Sequence, residues 1–542
     1  MTLPMLRILV ADQIAEEGLS MLRARPGIEV AVRTGLPPDQ LAKTVGDYDG
    51  MIIRSGVKVT RDMLAAPGKL RVIARAGVGV DNVDVPAATA AGVLVINTPD
   101  ANTVSTAEQA VALMLAAMRR LPQAHAHVVD GKWDRKAFVG HQLAGKTLGI
   151  VGLGRVGRAV AERALGLKMN VIAFDPLLSG ESALDGHVRL VKDLMTLLPQ
   201  IDVLTLHASM TPDSKRMIGR PQLDRMKPSA VLINCARGAL IDEAALADAL
   251  NSGRLAAAAI DVFENEPPLG SPLLSAKNIT LSPHLGASTE EAQTAVSTEA
   301  VESLLDYLCS GVIRGAVNVA GLPAHLTDRD RAYLDLTARM SAILSPHGAA
   351  GIDRIELTTQ GAESMTALCP TLALQAVVEL MSPHIEGRLN LVNAADFARE
   401  RGIVMHHAGL TARRDYYEVV TLTIHRGVES HCIEGAVFLD GQPRILAIDG
   451  YRMEVVPEGL LVLIFNDDRP GVIGLVGTLL GNHHINVADM TLSRRAKTAL
   501  MLLKIDGELP DAVLDELRRA SPPILSVRTV TLPPLASREA GA

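Results

Sequence analysis

The sequence predicts a multi-unit α/β protein: two successive parallel sheets covered by helices, followed by two smaller α+β units. Three observations predict it. The stretch Gly152-Leu153-Gly154-Arg155-Val156-Gly157 stands between an apolar run at 147–151 and a helix-forming segment at 155–167, and a second apolar run, 170–174, ends at Asp175. Short apolar runs recur through the first hundred residues at 6–11, 28–32, 50–53, 72–74 and 93–96, separated by polar or helix-forming segments, the alternation of a parallel sheet covered by helices. From Leu460 onward the apolar pattern follows a βαββαβ order, a small α+β sandwich.

The bulk properties fit. A chain of 542 residues has room for about three or four domains. It is 48% hydrophobic and only 2% aromatic, so aliphatic side chains must fill the cores. A net charge of −7 gives no general attraction to nucleic acid, so no such partner is expected. The four cysteines, Cys235, Cys309, Cys369 and Cys432, have no metal spacing and read as reduced thiols of a cytoplasmic protein. No segment reads as a signal peptide or a bilayer span, so no membrane partner is expected.

Taken in order, the first unit runs to about residue 100. A buried helix at 106–118 links it to the second unit, whose later strands are expected at 203–206, 230–233, 257–260 and 279–281. A helix at 290–308 returns the chain to the first unit. The Gly-, Val- and Pro-rich stretch 311–324 marks a boundary. The third unit carries helices at 333–344 and 372–380 and strands at 352–359 and 417–424. In the last unit, strands at 460–465, 485–492, 498–505 and 525–531 alternate with helices at 472–480 and 512–519; the tail 537–542 reads as frayed.

The strand, glycine turn, helix and terminal acid around 147–175 form a dinucleotide-binding unit. Gly152, Gly154 and Gly157 let the backbone turn tightly and approach a pyrophosphate, which the helix N-terminus attracts. Asp175 can accept hydrogen bonds from a ribose and would repel a 2′-phosphate, which favours NAD over NADP.

Three further stretches end predicted strands, where ligands bind in open α/β sheets: Asn234-Cys235-Ala236-Arg237, Asp261 to Glu266, and Ser282-Pro283-His284-Leu285-Gly286-Ala287. Hydride transfer from an alcohol carbon requires removal of the hydroxyl proton, and histidine is the natural acceptor near neutral pH. A carboxylate such as Glu266 would orient the imidazole, and an arginine such as Arg237 can grip a substrate carboxylate.

These stretches also carry a resemblance. GLGRVGRAVA, INCARGALIDEAAL, AAAIDVFENEPP and SPHLGAST, with IIRSGVKVT, VIARAGVGVDNVD, DGKWDRKAF and NTPDANTVSTAEQAVALMLAAMR further upstream, resemble the D-isomer-specific 2-hydroxyacid dehydrogenases over roughly residues 5–320. The resemblance implies a Rossmann-type NAD domain, 101–287, inserted in a flavodoxin-like substrate domain, 1–100 with 288–318. An α+β intervening domain, 319–455, and a C-terminal ACT domain, 456–535, would follow.

It implies His284 as general acid/base, Glu266 as its partner and Arg237 as the substrate-orienting cation. Arg155, Val156, Asp175, Cys235 to Arg237, Asp261 and His284 to Ala287 would line the NAD site, with Asp261 near the nicotinamide carboxamide. Arg54, Arg75 and Asn102 would face the substrate, and Arg135 and Lys136 would reach its phosphate from a neighbouring subunit.

The implied reaction is NAD-dependent oxidation of 3-phospho-D-glycerate at the entry to serine synthesis, by a homodimer or homotetramer, with serine as effector at Asp468, Gly471 and Asn486, bound between paired copies of the ACT domain. Basic residues of the third unit (Arg399, Arg401, His406, His407, Arg413, Arg414) are a candidate anion surface. Two departures from the family pattern, Ala208 and Ala101, bear on the cofactor and substrate loops. A glyoxylate or hydroxypyruvate reductase, and a non-enzymatic NAD-sensing scaffold, stay open as alternatives.

Overall fold

The computed structural model describes residues 5–319, 326–345, 351–385, 387–411, 418–520 and 523–535. Parts of the expected boundary at 311–324, the start of the strand at 417–424, Arg413, Arg414 and the tail 537–542 lie outside these residues.

The first sheet comprises β1 (Leu6–Val10), β2 (Ile28–Val32), β3 (Gly50–Ile53), β4 (Val72–Arg75) and β5 (Leu94–Ile96), all parallel, in the order β2-β1-β3-β4-β5. This is the flavodoxin-like order. The central strands are continuous apolar runs because helices cover both faces. Helix Glu290–Ser310 covers one of them: Val296, Ala300, Val301, Leu304 and Leu308 pack with Ile8, Val10, Ile52 and Val72. The return of the chain to the first unit is therefore observed, and the Ser297 hydroxyl accepts the Ala15 amide at 3.1 Å to fix it.

The second sheet comprises β6 (Thr147–Val151), β7 (Asn170–Phe174), β8 (Ser182–Ala183), β9 (Val188–Val191), β10 (Val203–Leu206), β11 (Val231–Asn234), β12 (Ala257–Ile260) and β13 (Ile279–Leu281). The order is β13-β12-β11-β10-β6-β7-β9-β8, parallel except for β8. It is a Rossmann-type sheet whose strand order reverses between β6 and β10, the place where ligands bind. Helix Thr103–Met118 packs against this sheet through Ala107, Ala110 and Met114. Strands β8 and β9 were not expected; they are short and half polar, so they carry little apolar periodicity.

The third sheet holds β14 (Arg354–Gln360), β15 (Val404–Leu410), β16 (Val419–Arg426), β17 (Glu429–Val437), β18 (Pro443–Ile448) and β19 (Tyr451–Val455), in the order β15-β14-β16-β17-β18-β19. Helices Asp328–Leu344 and Glu363–Met381 cover it. The stretch Glu363–His384 is long and apolar enough to cross a membrane, contrary to the sequence reading. Its Leu368, Leu372, Ala376 and Leu380 are buried in the protein core, which accounts for the apolar run.

The fourth sheet, β20 (Gly459–Asp467), β21 (Val487–Arg495), β22 (Thr498–Ile505) and β23 (Ile524–Leu532), is antiparallel in the order β21-β22-β20-β23. Helices Val472–Asn482 and Asp511–Arg519 cover one face and complete the expected βαββαβ unit. Buried Arg339 joins the last two units: Nη1 donates to the carbonyls of Pro457 at 2.7 Å and Pro533 at 2.6 Å, and Nε to Asp335 at 2.7 Å.

Candidate active site

The glycine turn after β6 has the geometry of a phosphate cradle. Gly152 has φ 89°, and a Cβ there would lie 2.7 Å from the His207 carbonyl carbon on the loop after β10. At Gly157 a Cβ would come within 2.1 Å of the Gly152 oxygen, so helix Arg155–Gly166 packs tightly on the strand. Gly154 is the opposite case: a Cβ would meet no protein atom within 4 Å, which leaves open space at the helix N-terminus.

Asp175 ends β7. Its Oδ2 accepts the Leu153 amide at 2.8 Å and its Oδ1 the Leu177 amide at 2.9 Å, so the carboxylate is fixed beside the turn. Burial pushes His207 down to about 4, so its ring is neutral near pH 7, and Nε2 lies 2.9 Å from the Thr205 hydroxyl. Open space over Gly154 and a fixed acid at the second strand end fit a dinucleotide.

The three chemical stretches sit at the ends of adjacent strands β11, β12 and β13. Asn234, fully buried, staples the first turn: its Oδ1 accepts the Ala236 amide at 3.0 Å and its Nδ2 donates to the Arg237 carbonyl at 2.9 Å. Cys235 is buried, and burial together with the charge of Asp261 pushes its thiol well above the usual range, so it stays protonated.

Asp261 is fully buried and faces the third loop, accepting the Leu285 amide at 2.8 Å, the Gly286 amide at 2.9 Å and the Ser282 hydroxyl at 2.5 Å. Ser105 and Thr106 donate to the Gly286 carbonyl at 2.8 and 3.1 Å, and Ala287 follows half-buried. So braced, His284 adopts φ 55° and places Nδ1 2.7 Å from Glu266 Oε2. Burial opposes ionisation of Glu266. Hydrogen bonds from His284 and from the Phe263 amide (3.1 Å), with the charges of His284 and Arg237, outweigh it and lower its titration below the usual carboxylate value.

Opposite these loops, the first sheet brings Arg54 and Arg75 to the cleft. Burial, then the charges of Arg237 and Arg54, push Arg75 down to about 10, against the opposing pull of Asp81 and Asp12. Three guanidinium groups therefore share one space. Arg75 Nε and Asn102 Oδ1 are buried without a partner among the described residues, which marks a place where a ligand or water completes the set.

Arg155 pairs with Asp100 across the cleft. Val156, next to it, is half-buried. Arg135 is not brought to this cleft. It lines an outer groove with Leu115, Trp133 and Phe138. Sequence reasoning missed Asp81 and the Ser105–Thr106 pair; nothing in their spacing distinguishes them from loop and capping residues.

In the fourth sheet, Asp468 and Gly471 line a cavity of about 300 Å³ with Asn466, whose buried Oδ1 is unpartnered among the described residues. Asn486 is not there. It precedes β21, which runs parallel to β20, so it lies at the opposite end of the sheet from Asp468 and donates to Asp506 at 2.7 Å. One chain cannot bring the two together. Asp468 itself holds Arg494 at 2.6 Å. In the third unit, Arg399 pairs with Asp396 at 2.6 Å and Arg401 stacks on Phe397.

Residues 111–286 match the family described as D-isomer specific 2-hydroxyacid dehydrogenase, NAD binding domain. Residues 330–449 match the D-3-phosphoglycerate dehydrogenase intervening domain, and 461–521 the ACT domain. The chain is 40% identical to a D-3-phosphoglycerate dehydrogenase of Methanocaldococcus jannaschii over 97% of its length and all of the relative's. The chain belongs to the D-3-phosphoglycerate dehydrogenase family. A second member, from Archaeoglobus fulgidus, is 39% identical over 95% of the chain and 98% of its own length.

Among solved structures, a glyoxylate reductase from Paecilomyes thermophila is 31% identical with a TM-score of 0.54. It covers 58% of this chain and 99% of its own. D-lactate dehydrogenase of Escherichia coli is 27% identical with a TM-score of 0.52, covering 58% of this chain and all of its own. What distinguishes the phosphoglycerate dehydrogenase relatives from these is the remainder, which carries the intervening and ACT domains. NAD is the cofactor of the matched nucleotide domain.

The lowered titration of Glu266 has a stability consequence. A carboxyl depressed in the folded state stabilises it above the unfolded value and loses that contribution as pH falls through the folded value. Glu266→Gln removes this component, so the drop in melting temperature between about pH 6 and about pH 4 should be smaller than in the wild type. An equal drop in both proteins would refute it.

Proposed function

We propose that the protein oxidises 3-phospho-D-glycerate with NAD to 3-phosphooxypyruvate, NADH and a proton, the first step of L-serine biosynthesis. The observation that carries this is the His284–Glu266 pair at 2.7 Å, with Arg237 beside it, facing a cleft that holds Arg75 and Arg54. When bound, NAD supplies the hydride acceptor. His284 Nδ1 is occupied by Glu266, so Nε2 takes the C2 hydroxyl proton, and Glu266 stabilises the imidazolium that forms. Arg237 holds the substrate carboxylate and polarises the carbonyl that develops at C2. Arg54, Arg75 and Asn102 take the remaining polar groups; a substrate with both carboxylate and phosphate neutralises a cluster that a small unphosphorylated acid leaves in excess. Gly152 to Gly157 hold the pyrophosphate, and Asp175 selects NAD by repelling a 2′-phosphate. Cys235, Ala236, Leu285 and Ala287 border the same space.

We divide the chain at 1–100 with 288–318, 101–287, 319–455 and 456–535, supported by the membership of the four sheets. The protein acts in the cytoplasm and as a homo-oligomer. Trp133 is 79% exposed, and exposed Leu115, Leu121 and Val128 line the same outer groove with it, an apolar strip that a second copy covers. Pairing of the fourth sheets would unite Asp468 and Gly471 of one copy with Asn486 of another, forming a site for serine as feedback effector. Serine's amino group would have to displace Arg494 from Asp468.

Kinetics, sedimentation and calorimetry test this reading. His284→Ala should lower kcat for NADH formation from 3-phospho-D-glycerate by about 10²–10⁴-fold. Wild-type protein that reduces NAD faster with glycerate or lactate than with 3-phospho-D-glycerate would overturn the substrate. Sedimentation velocity should give a dimer or tetramer for the wild type and a smaller species for Trp133→Arg; a monomeric wild type at micromolar concentration would end the oligomer proposal. Calorimetry should detect L-serine binding, weakened about tenfold or more in Asp468→Ala. No heat and unchanged rates in millimolar serine would remove the effector.

A further inference from the structure

Asp81 lies in the loop after β4 and has no part in the chemistry above. Its Oδ2 accepts a hydrogen bond from Arg237 Nε at 2.9 Å, across the cleft between the first and second sheets. Arg237 Nη1 also donates to the Ala236 carbonyl at 2.7 Å, so two of the three guanidinium nitrogens are tied. The third, Nη2, lies over Gly79, where a Cβ would sit 2.0 Å from it; the missing side chain makes the room.

The Asp81 side chain is 65% exposed and that of Arg237 32%, and an isolated pair so placed contributes little to stability. Its setting is unusual, however. Arg237 and Arg54 both repel Arg75, and Asp81 is one of the two carboxylates that oppose them there. Without that counter-charge, repulsion from buried Arg75 drives the Arg237 side chain toward solvent.

We propose that Asp81 is a positioning residue: it holds Arg237 by Nε across the cleft, so that the substrate carboxylate meets an arginine already oriented, with Nη2 free to receive it. Because the partners stand on different sheets, the pair also links the approach of the two units to the placement of Arg237. This rests on the role given to Arg237 in the reaction proposed above.

The test uses the full-length chain. Steady-state kinetics of Asp81→Asn and Asp81→Glu are compared with the wild type for 3-phospho-D-glycerate and for NAD. Calorimetry measures the Kd of 3-phospho-D-glycerate for the enzyme saturated with NADH, a complex that does not turn over. Asp81→Asn should raise both KM and Kd for 3-phospho-D-glycerate about tenfold, with KM for NAD within about twofold of the wild type; Asp81→Glu should recover most of the loss. Combined with Arg237→Lys, Asp81→Asn should add little further.

An unchanged KM in Asp81→Asn would overturn the proposal. So would a lowered KM, the mark of a carboxylate that competes with substrate, or losses that Asp81→Glu fails to recover. Should Asp81→Asn not fold, Asp81→Ser carries the same comparison. A wild type that oxidises no 2-hydroxy acid would refute the reaction itself; an active wild type with an indifferent Asp81→Asn would refute this inference alone.

Discussion

The Asp261 carboxylate has no contact with solvent, yet its hydrogen bonds shape the whole rim of the cleft. A buried carboxylate is costly unless its oxygens are satisfied. Here the amides of Leu285 and Gly286 and the Ser282 hydroxyl satisfy them. Those bonds bend the chain around His284, a non-glycine residue at φ 55°. Such a conformation costs on the order of 1–2 kcal/mol and persists only where neighbours over-determine it. The same anion helps to keep the Cys235 thiol protonated, so a cysteine beside the cofactor space is chemically quiet. One side chain thus orients the base and silences a competing nucleophile.

Charge balance governs the other wall. Burial and two neighbouring cations lower the Arg75 pKa only to about 10, so it remains charged at neutral pH. Three cations in one cleft are tolerated because Asp81 and Asp12 face them and because the Asp12 carboxylate also anchors the amides of Arg54 and Val57 at 2.7 and 3.0 Å. The surplus of positive charge is what a substrate with both a carboxylate and a phosphate removes.

The central parallel strands of the first two sheets were legible because strands covered on both faces are written as nearly unbroken apolar runs, and Gly50–Ile53 and Val203–Leu206 agree to the residue. The third sheet was half hidden. Its β15 contains exposed His406 and His407 at an edge, and β17 begins with polar Glu429 to Cys432, so neither shows a clean period. His284, Glu266 and Arg237 were legible as a set because strand ends are where parallel sheets put chemistry. The hydrogen bonds that fix Asp261 and the Asp81 partner of Arg237 were not. Each depends on which way a side chain turns in three dimensions, and linear spacing does not carry that.

The bond from Arg339 to the Pro457 and Pro533 carbonyls sits within a larger continuity. Tyr333, Leu336 and Met340 of the third unit share one apolar core with Leu461, Leu463, Leu500, Leu502 and Leu532 of the fourth. Side chains that exclude water together lose that shelter together. The C-terminal sandwich is therefore not a self-contained module: excised alone, it would open a bare oily face to the solvent.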